Sequence, residues 1–495
     1  MSLRRLFMAC ALALALAPAL ALALGLGTPT GFSMAQAPAL DANLRERIDR
    51  FVESERQSSG IPGMALAIVQ EGQIAHVRGF GQDGRGQAIT GDTPFPIGSL
   101  TKSFTALLVR QAIDAGQIDA DAPVQRYLPW FRVTDAEASA RITLRHLLNQ
   151  TSGFSRADGI APLLAGSRAS IDELARGLAT VSLNRAVGER YEYSNLNYVL
   201  LAAVVQAATG RSWRELMQQQ VLQPLAMSHS HVDHAAARRD RMTAVHQIVF
   251  GMPVEQEVEL LPAFEPTGGL VASANDMARY LLMLLADGVA PSGRLLSTAG
   301  VRQLLAPAAP PGHSTLLSAD FDFRYAEGWF VGPFGAAADA RWHLGSLMPF
   351  AAWMVLLPDT KQAVVVLINA NTELPVGDVN AVMSRLPIGV VNLLRGQPPP
   401  QGPSLRLAYG RFAAMLAVVL AVLALLAWRA ARARRAWAGV TMAMAAVALP
   451  AAASAVGLKP SLLWVFAPEL AIVLAPAVVL LAAPLAWRLT RGRRR

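Results

Sequence analysis

A serine and a lysine three residues apart, in Ser99-Leu100-Thr101-Lys102, stand where an apolar run from Phe104 to Ile113 begins. That run has helical spacing, and residues three apart share one face of a helix, so Ser99 Oγ and Lys102 Nζ can meet. A hydroxyl is a weak nucleophile until a nearby base takes its proton. Lysine becomes such a base when desolvation or a neighbouring cation lowers its pKa. The helix N-terminus adds positive potential at the same place. The chain has only three lysines, Lys102, Lys361 and Lys459, against 41 arginines. One Ser-x-x-Lys still arises by chance in roughly one such chain in six at ordinary serine usage, and a solvated helix lysine is the plain alternative.

Two further motifs raise the odds. Tyr193-Ser194-Asn195 lies between a Gly-containing turn and the apolar run Val199 to Ala208. A phenol can relay protons there, and an amide can orient Lys102 and the substrate; alone, the stretch reads as a capped helix start. His343-Leu344-Gly345-Ser346 stands just before the strand-like run Ala351 to Leu357. Gly345 allows backbone to approach a ligand closely, and the N–H that follows can donate to an oxyanion. The plain reading of this motif is an ordinary turn.

The order Ser-x-x-Lys, Tyr-Ser-Asn, His-x-Gly resembles the serine β-lactamase and penicillin-binding-protein superfamily. It is most similar to the branch of class C β-lactamases, D-alanyl-D-alanine carboxypeptidases and related esterases. Asp119–Val124, His146–Gly153 and Gly268–Ser273 look similar too, so the resemblance covers roughly residues 43–395. It implies that Ser99 is acylated and that Lys102, with Tyr193, moves protons. It implies further that Asn195 positions Lys102 and the substrate, and that the N–H groups of Ser99 and Ser346 hold the oxyanion. His343, Gly345 and Ser346 join Asn195 as expected substrate-binding residues. The third motif departs from the usual Lys-Thr-Gly. His343 is only partly cationic near neutral pH, and Leu344 offers no hydroxyl to a substrate carboxylate. An esterase or cell-wall-peptide peptidase is therefore expected ahead of an efficient β-lactamase. A membrane-bound sensor that is acylated, or binds such peptides without turnover, is the alternative.

His229-Ser230-His231-Val232-Asp233-His234 spells the His-x-His-x-Asp-His pattern of the metallo-β-lactamase superfamily, and such residues can bind zinc. That pattern usually follows a buried strand, whereas here it follows the helix-like stretch Trp213 to Met227, so a solvated loop is the better reading. Cys10 is the only cysteine, and it sits in the apolar N-terminus. No thiolate metal site, disulfide framework or cysteine nucleophile is available; neither metal nor cofactor is expected.

These groups need a scaffold. Leu44 to Glu55 reads as an amphipathic helix. Met64 to Val69 and Gln73 to Phe80 read as strands joined by the hairpin signal Glu71-Gly72. Ala351 to Leu357 and Ala363 to Ile368 are again strand-like, and Val379 to Leu394 is partly helical. The expected fold is mixed α/β (α+β): one antiparallel sheet built from both ends of the domain, flanked by helices, with a helical subdomain inserted in the middle.

The flanks are apolar. Arg4 and Arg5 before the run Leu6 to Leu26 mark residues 1–35 as a signal peptide. Residues 40–395 form the hydrolase domain, residues 396–409 a proline-rich linker, and residues 410–495 a membrane domain. Its three expected spans are Phe412 to Trp428, Ala436 to Gly457 and Leu470 to Trp487. The net charge is +9. Nine arginines, at 429, 432, 434, 435, 488, 491, 493, 494 and 495, account for all of it, and they follow the first and third spans. They are topology signals rather than a nucleic-acid face. They put the catalytic domain on the periplasmic or extracellular side of the inner membrane. The expected partners are an ester, amide or peptide acyl substrate, possible peptidoglycan fragments among them, and the lipid bilayer.

Overall fold

The computed structural model describes residues 40–259, 261–314, 321–347, 349–372, 378–432 and 468–492. The expected signal peptide lies outside them. Helix α1 (Ala42–Ser59) starts where the Asp41 carboxylate accepts the Leu44 N–H at 2.9 Å, and it stops at left-handed Gly60. Strands β1 (Gly63–Gln70) and β2 (Gln73–Gly81) form the expected hairpin. Glu71 and Gly72 close it at φ 51° and 75°, a turn whose twist matches that of the strands.

A long helical stretch follows. It contains α2 (Thr101–Asp114), entered through the 3-10 turn Gly98–Leu100, then α3 (Arg156–Leu164), α4 (Asn195–Thr209) and α5 (Ala274–Leu285). The chain then returns to the sheet through β3 (Gly312–Ser314), β4 (Phe321–Tyr325), β5 (Phe330–Phe334), β6 (Ala337–Leu347), β7 (Phe350–Leu357) and β8 (Gln362–Ile368). The eight strands lie in the order β2-β1-β8-β7-β6-β5-β4-β3, with antiparallel neighbours. Met64 opposes Ile368 and Val69 opposes Ala363, so the two ends of the domain pair side by side within one sheet, as the terminal strand patterns imply.

Both faces of the sheet are covered. Ala65, Ala67, Ala352, Met354, Val365 and Leu367 join the core of the helical subdomain. Their alternates Met64, Leu66, Trp353, Val355, Val364 and Val366 join a second core with α1 and α6 (Asp378–Leu394). The central strands therefore read as continuous apolar runs rather than alternating ones.

The third motif is part of β6, an 11-residue strand paired with β5 and β7, and not the ordinary turn that is its plain alternative. Its His, Gly and Ser content imitates a turn, whereas ladder pairing on both sides makes it strand.

Beyond Arg395 the chain forms α7 (Leu405–Arg432) and α8 (Pro468–Gly492). Helix α7 starts inside the expected linker. Its first turns are anchored in the second core by Leu405, Tyr409, Phe412 and Leu416. Among the described residues, α7 alone is long and apolar enough to cross a membrane. The second expected span lies outside the described residues, and the third falls within α8, whose apolar stretch Pro468–Pro484 is shorter.

Candidate active site

Ser99 sits in the tight turn that leads into α2, after Gly98 at φ 51°. Lys102 Nζ lies 3.1 Å from Ser99 Oγ, and the Tyr193 hydroxyl lies 2.9 Å from it. The lysine is fully buried. It donates to the Thr267 carbonyl at 2.8 Å, and Nζ stands 4.9 Å from the centre of the Tyr193 ring. Burial first, and then the Arg156 guanidinium, push Lys102 well below the usual lysine range. Burial pushes the Tyr193 phenol upward, against the hydrogen bond to Ser99 and the charge of Arg156. An amine biased toward its neutral form and a phenol biased toward its protonated form thus flank one hydroxyl. Such an arrangement can take the proton of Ser99 and return one to a leaving group.

Local packing fixes these groups. Tyr193 precedes α4 in a loop held by Gln150, whose side chain accepts the Ser194 N–H at 2.9 Å and whose carbonyl accepts the Glu192 N–H at 2.9 Å. The Thr267 carbonyl is aimed at Lys102 because its neighbours are tied to α2. Thr105 Oγ1 donates to the Pro266 carbonyl at 2.7 Å, and the Leu270 N–H donates to Thr101 Oγ1 at 3.2 Å. Gly345 lets β6 press against the turn before Ser99: a Cβ at residue 345 would fall 1.9 Å from the Ile97 carbonyl oxygen.

A cavity of about 370 Å³ opens onto Ser99. Tyr193, Asn195, Arg156 and Ser346 line its polar part, and Ile160, Leu163, Leu261, Phe264 and Phe350 line its apolar walls. Leu261 and Phe264, with Leu163 packed on them, form a small apolar cluster apart from both main cores.

The motif residues do not all fall where the sequence suggests. Asn195 lines the cavity, but its side chain donates to the Gly159 carbonyl at 3.1 Å, and Lys102 is held by the Thr267 carbonyl instead. Ser346 lines the cavity, and its hydroxyl accepts from Asn371 Nδ2 at 2.8 Å. His343 does not line it. It is 1% exposed, with Nδ1 2.7 Å from the Leu344 carbonyl and Nε2 3.1 Å from the Tyr325 hydroxyl. A carbonyl can only accept, so Nδ1 carries the proton and Nε2 accepts from the phenol. Burial, with Lys102 nearby, lowers its pKa to about 3. The expected partly cationic contact to substrate is thus corrected to a neutral imidazole packed 6.2 Å from the Tyr193 ring. Leu344 pairs with Trp353, packs on the second core and does not line the cavity.

Sequence reasoning missed two groups. Arg156 is the permanent cation at the cavity, three residues beyond the His146–Gly153 stretch, where an arginine opening a helix was the available signal. The Thr267 carbonyl leaves no trace in residue type. The His-rich stretch divides its tasks. His229 and His231 meet Asp240 at 3.0 and 2.7 Å, Asp233 caps a short helix, and His234 turns to the cavity.

Most of the chain resembles known proteins. A family model described as Beta-lactamase matches residues 48–383. Protein flp of Staphylococcus aureus (strain N315) is 24% identical over 336 residues, covering 68% of this chain and 65% of that protein. The chain therefore spans just under two thirds of that relative's length. Penicillin-binding protein 4 of Amycolatopsis lactamdurans is 34% identical over 270 residues, 53% of this chain and 68% of that protein. The solved structure of an octameric penicillin-binding protein homologue from Pyrococcus abyssi shares the fold, with a TM-score of 0.60 and 23% identity over 72% of this chain and 78% of that one.

Proposed function

This chain belongs to the beta-lactamase family, and from that premise we propose that it is a serine hydrolase acting on an ester or amide through a covalent acyl-enzyme. Ser99 Oγ attacks the carbonyl carbon while its proton passes to the neutral amine of Lys102. The carbon–leaving-group bond breaks as Lys102 and the Tyr193 phenol return a proton to the departing oxygen or nitrogen. Water then enters by the same proton path and releases the acid. The N–H groups of Ser99 and Ser346 hold the oxyanion, and Asn195 faces the substrate from the cavity wall. One observation carries this reading: Ser99 Oγ has a buried amine at 3.1 Å and a buried phenol at 2.9 Å, at the foot of a cavity large enough for an acyl group.

The substrate class is an ester or peptide-like amide ahead of a β-lactam. Support now comes from the apolar walls rather than from Leu344, and from the uncharged state of His343. Arg156 is left as the cation that meets an anionic group. We assign the catalytic domain to residues 40–395 and place it outside the cytoplasm. It is held by the inner membrane through C-terminal helices, a reading supported by α7 and the arginine clusters.

The test is intact-mass analysis of the wild type and Ser99→Ala after exposure to a fluorophosphonate, a short ester and a penicillin. The penicillin is included because the Amycolatopsis relative is named for binding it. An adduct on the wild type alone is expected, with loss of several orders of magnitude in ester turnover in the variant. More than a few per cent of activity left in Ser99→Ala would sink the mechanism. A cephalosporin turned over faster than any simple ester would sink only the substrate preference.

A further inference from the structure

The first turns of α7 reach the candidate site through a chain of hydrogen bonds. Tyr409 is 1% exposed. Its hydroxyl donates to the Ile248 carbonyl at 3.0 Å and lies 2.6 Å from Thr372 Oγ1. Ile248 lies in the strand Val245–Val249, and Thr372 directly follows the strand Ala370–Asn371; the two strands pair in parallel with His246 opposite Ala370 and Gln247 opposite Asn371. One phenol therefore ties both strands.

The same two strands back the catalytic cavity. Asn371, 3% exposed, donates to Ser346 Oγ at 2.8 Å. The His246 N–H donates to the Pro349 carbonyl at 2.9 Å, next to Phe350 of the cavity wall. Close packing leaves this junction little slack. Gly251, at φ 78° in the turn after Val249, would bring a Cβ to 3.3 Å from the Tyr409 Cβ.

We propose that Tyr409 is a positioning residue: α7 sets the placement of Ser346 through Thr372 and Asn371, so the docking of the C-terminal helix tunes catalysis. The proposal rests on the reading of Ser346 as an oxyanion donor. Such donors stabilise charge only when held within about half an ångström of the productive geometry. A helix whose first turns are buried in the domain core, and whose remainder leaves it, can transmit its own placement to that donor. The tail is then part of the catalytic apparatus as well as an attachment.

The test uses the full chain in detergent micelles with a short ester as substrate. Tyr409→Phe keeps the ring and removes both hydrogen bonds. The expected result is a fall in kcat of about tenfold, below the roughly 10²–10³-fold cost of deleting an oxyanion donor outright. KM and thermal midpoint should stay close to wild type. Asn371→Ala should behave alike, and the double variant should be no slower than the slower single one, because both changes cut the same connection. Val390→Ala, in α6 of the same core but off α7 and outside the hydrogen-bond chain, should lower the thermal midpoint and leave kcat alone. Unchanged kcat in Tyr409→Phe, multiplying effects in the double variant, or an equal kcat loss in Val390→Ala would each overturn the proposal. Absence of any Ser99 adduct in the wild type would instead overturn the hydrolase reading, and this proposal with it.

Discussion

Lys102 and Arg110 occupy the two halves of α2, both buried, at 0% and 5% exposure. Arg110 meets the Glu327 carboxylate through Nε and Nη2, and Glu327 is itself 2% exposed. The loop carrying that acid lies hard against the helix, since a Cβ at Gly328 would come 2.7 Å from Ser103 Cα. Lys102 receives a hydroxyl, a carbonyl and two aromatic rings, and no carboxylate pairs with it among the described residues. After burial, the charge that shifts it is another cation, Arg156. One helix thus buries two basic groups under opposite rules. Where a counter-charge is supplied, the cation becomes a strut; where it is withheld, the amine holds its proton less tightly and can act as a base.

The largest effect that could break this contrast is at Lys102. Lys102→Met should cut ester hydrolysis by roughly 10²-fold or more and yet leave a more stable protein near neutral pH. The folded lysine has a lowered pKa, so below about 10.4 the unfolded chain binds a proton that the folded chain binds less readily. The wild type therefore carries a penalty that is full below the folded pKa and fades as pH rises toward about 10.4. Thermal melts of wild type and Lys102→Met across pH should converge on the alkaline side. A lower midpoint for the variant at pH 7 would refute the unpaired-base reading.

Glu327→Ala should do the reverse. Stranding buried Arg110 costs about 3–5 kcal/mol of stability, read from denaturant unfolding, with turnover per folded molecule kept. A double change of Arg110 and Glu327 to leucine should recover most of that loss. If instead it abolished hydrolysis in folded protein, the pair would belong to the site.

Tyr193→Phe should lower kcat by roughly 10²-fold and combine with Lys102→Met less than multiplicatively, because both serve one proton path. The smallest effect is at Arg156. Removing its charge in Arg156→Gln should raise the Lys102 pKa, so the acid limb of the kcat/KM profile should move to higher pH. An unmoved limb would assign the lowering at Lys102 to burial alone.

The legible parts of this molecule were local in sequence. Ser99 and Lys102 meet because three residues along a helix is a short, fixed step. The Glu71-Gly72 hairpin and the terminal strands follow from turn chemistry and apolar runs. The illegible parts depended on what tertiary packing brings near. Nothing in the letters His343-Leu344 says that the imidazole is sealed beneath Tyr325 or that Leu344 faces the other core. Strand pairing settles that, and residue types alone leave an ordinary turn open at this motif. Likewise a backbone carbonyl such as that of Thr267 has no residue type to announce it, and Arg156 resembled many other arginines in an arginine-rich chain.

The pairing of β1 with β8 also governs the order in which this protein can be made. Met64 finds Ile368 only after some three hundred intervening residues have been synthesised, and closing a loop of that length is slow. Until then the β1–β2 hairpin has one edge open and its apolar faces uncovered, a surface prone to wrong partners. The last strand to arrive completes the sheet only a few dozen residues before α7 emerges. Biogenesis therefore depends on keeping the nascent N-terminal hairpin from aggregating during that wait, and mutations that lengthen the wait should reduce yield before they reduce the stability of the finished protein.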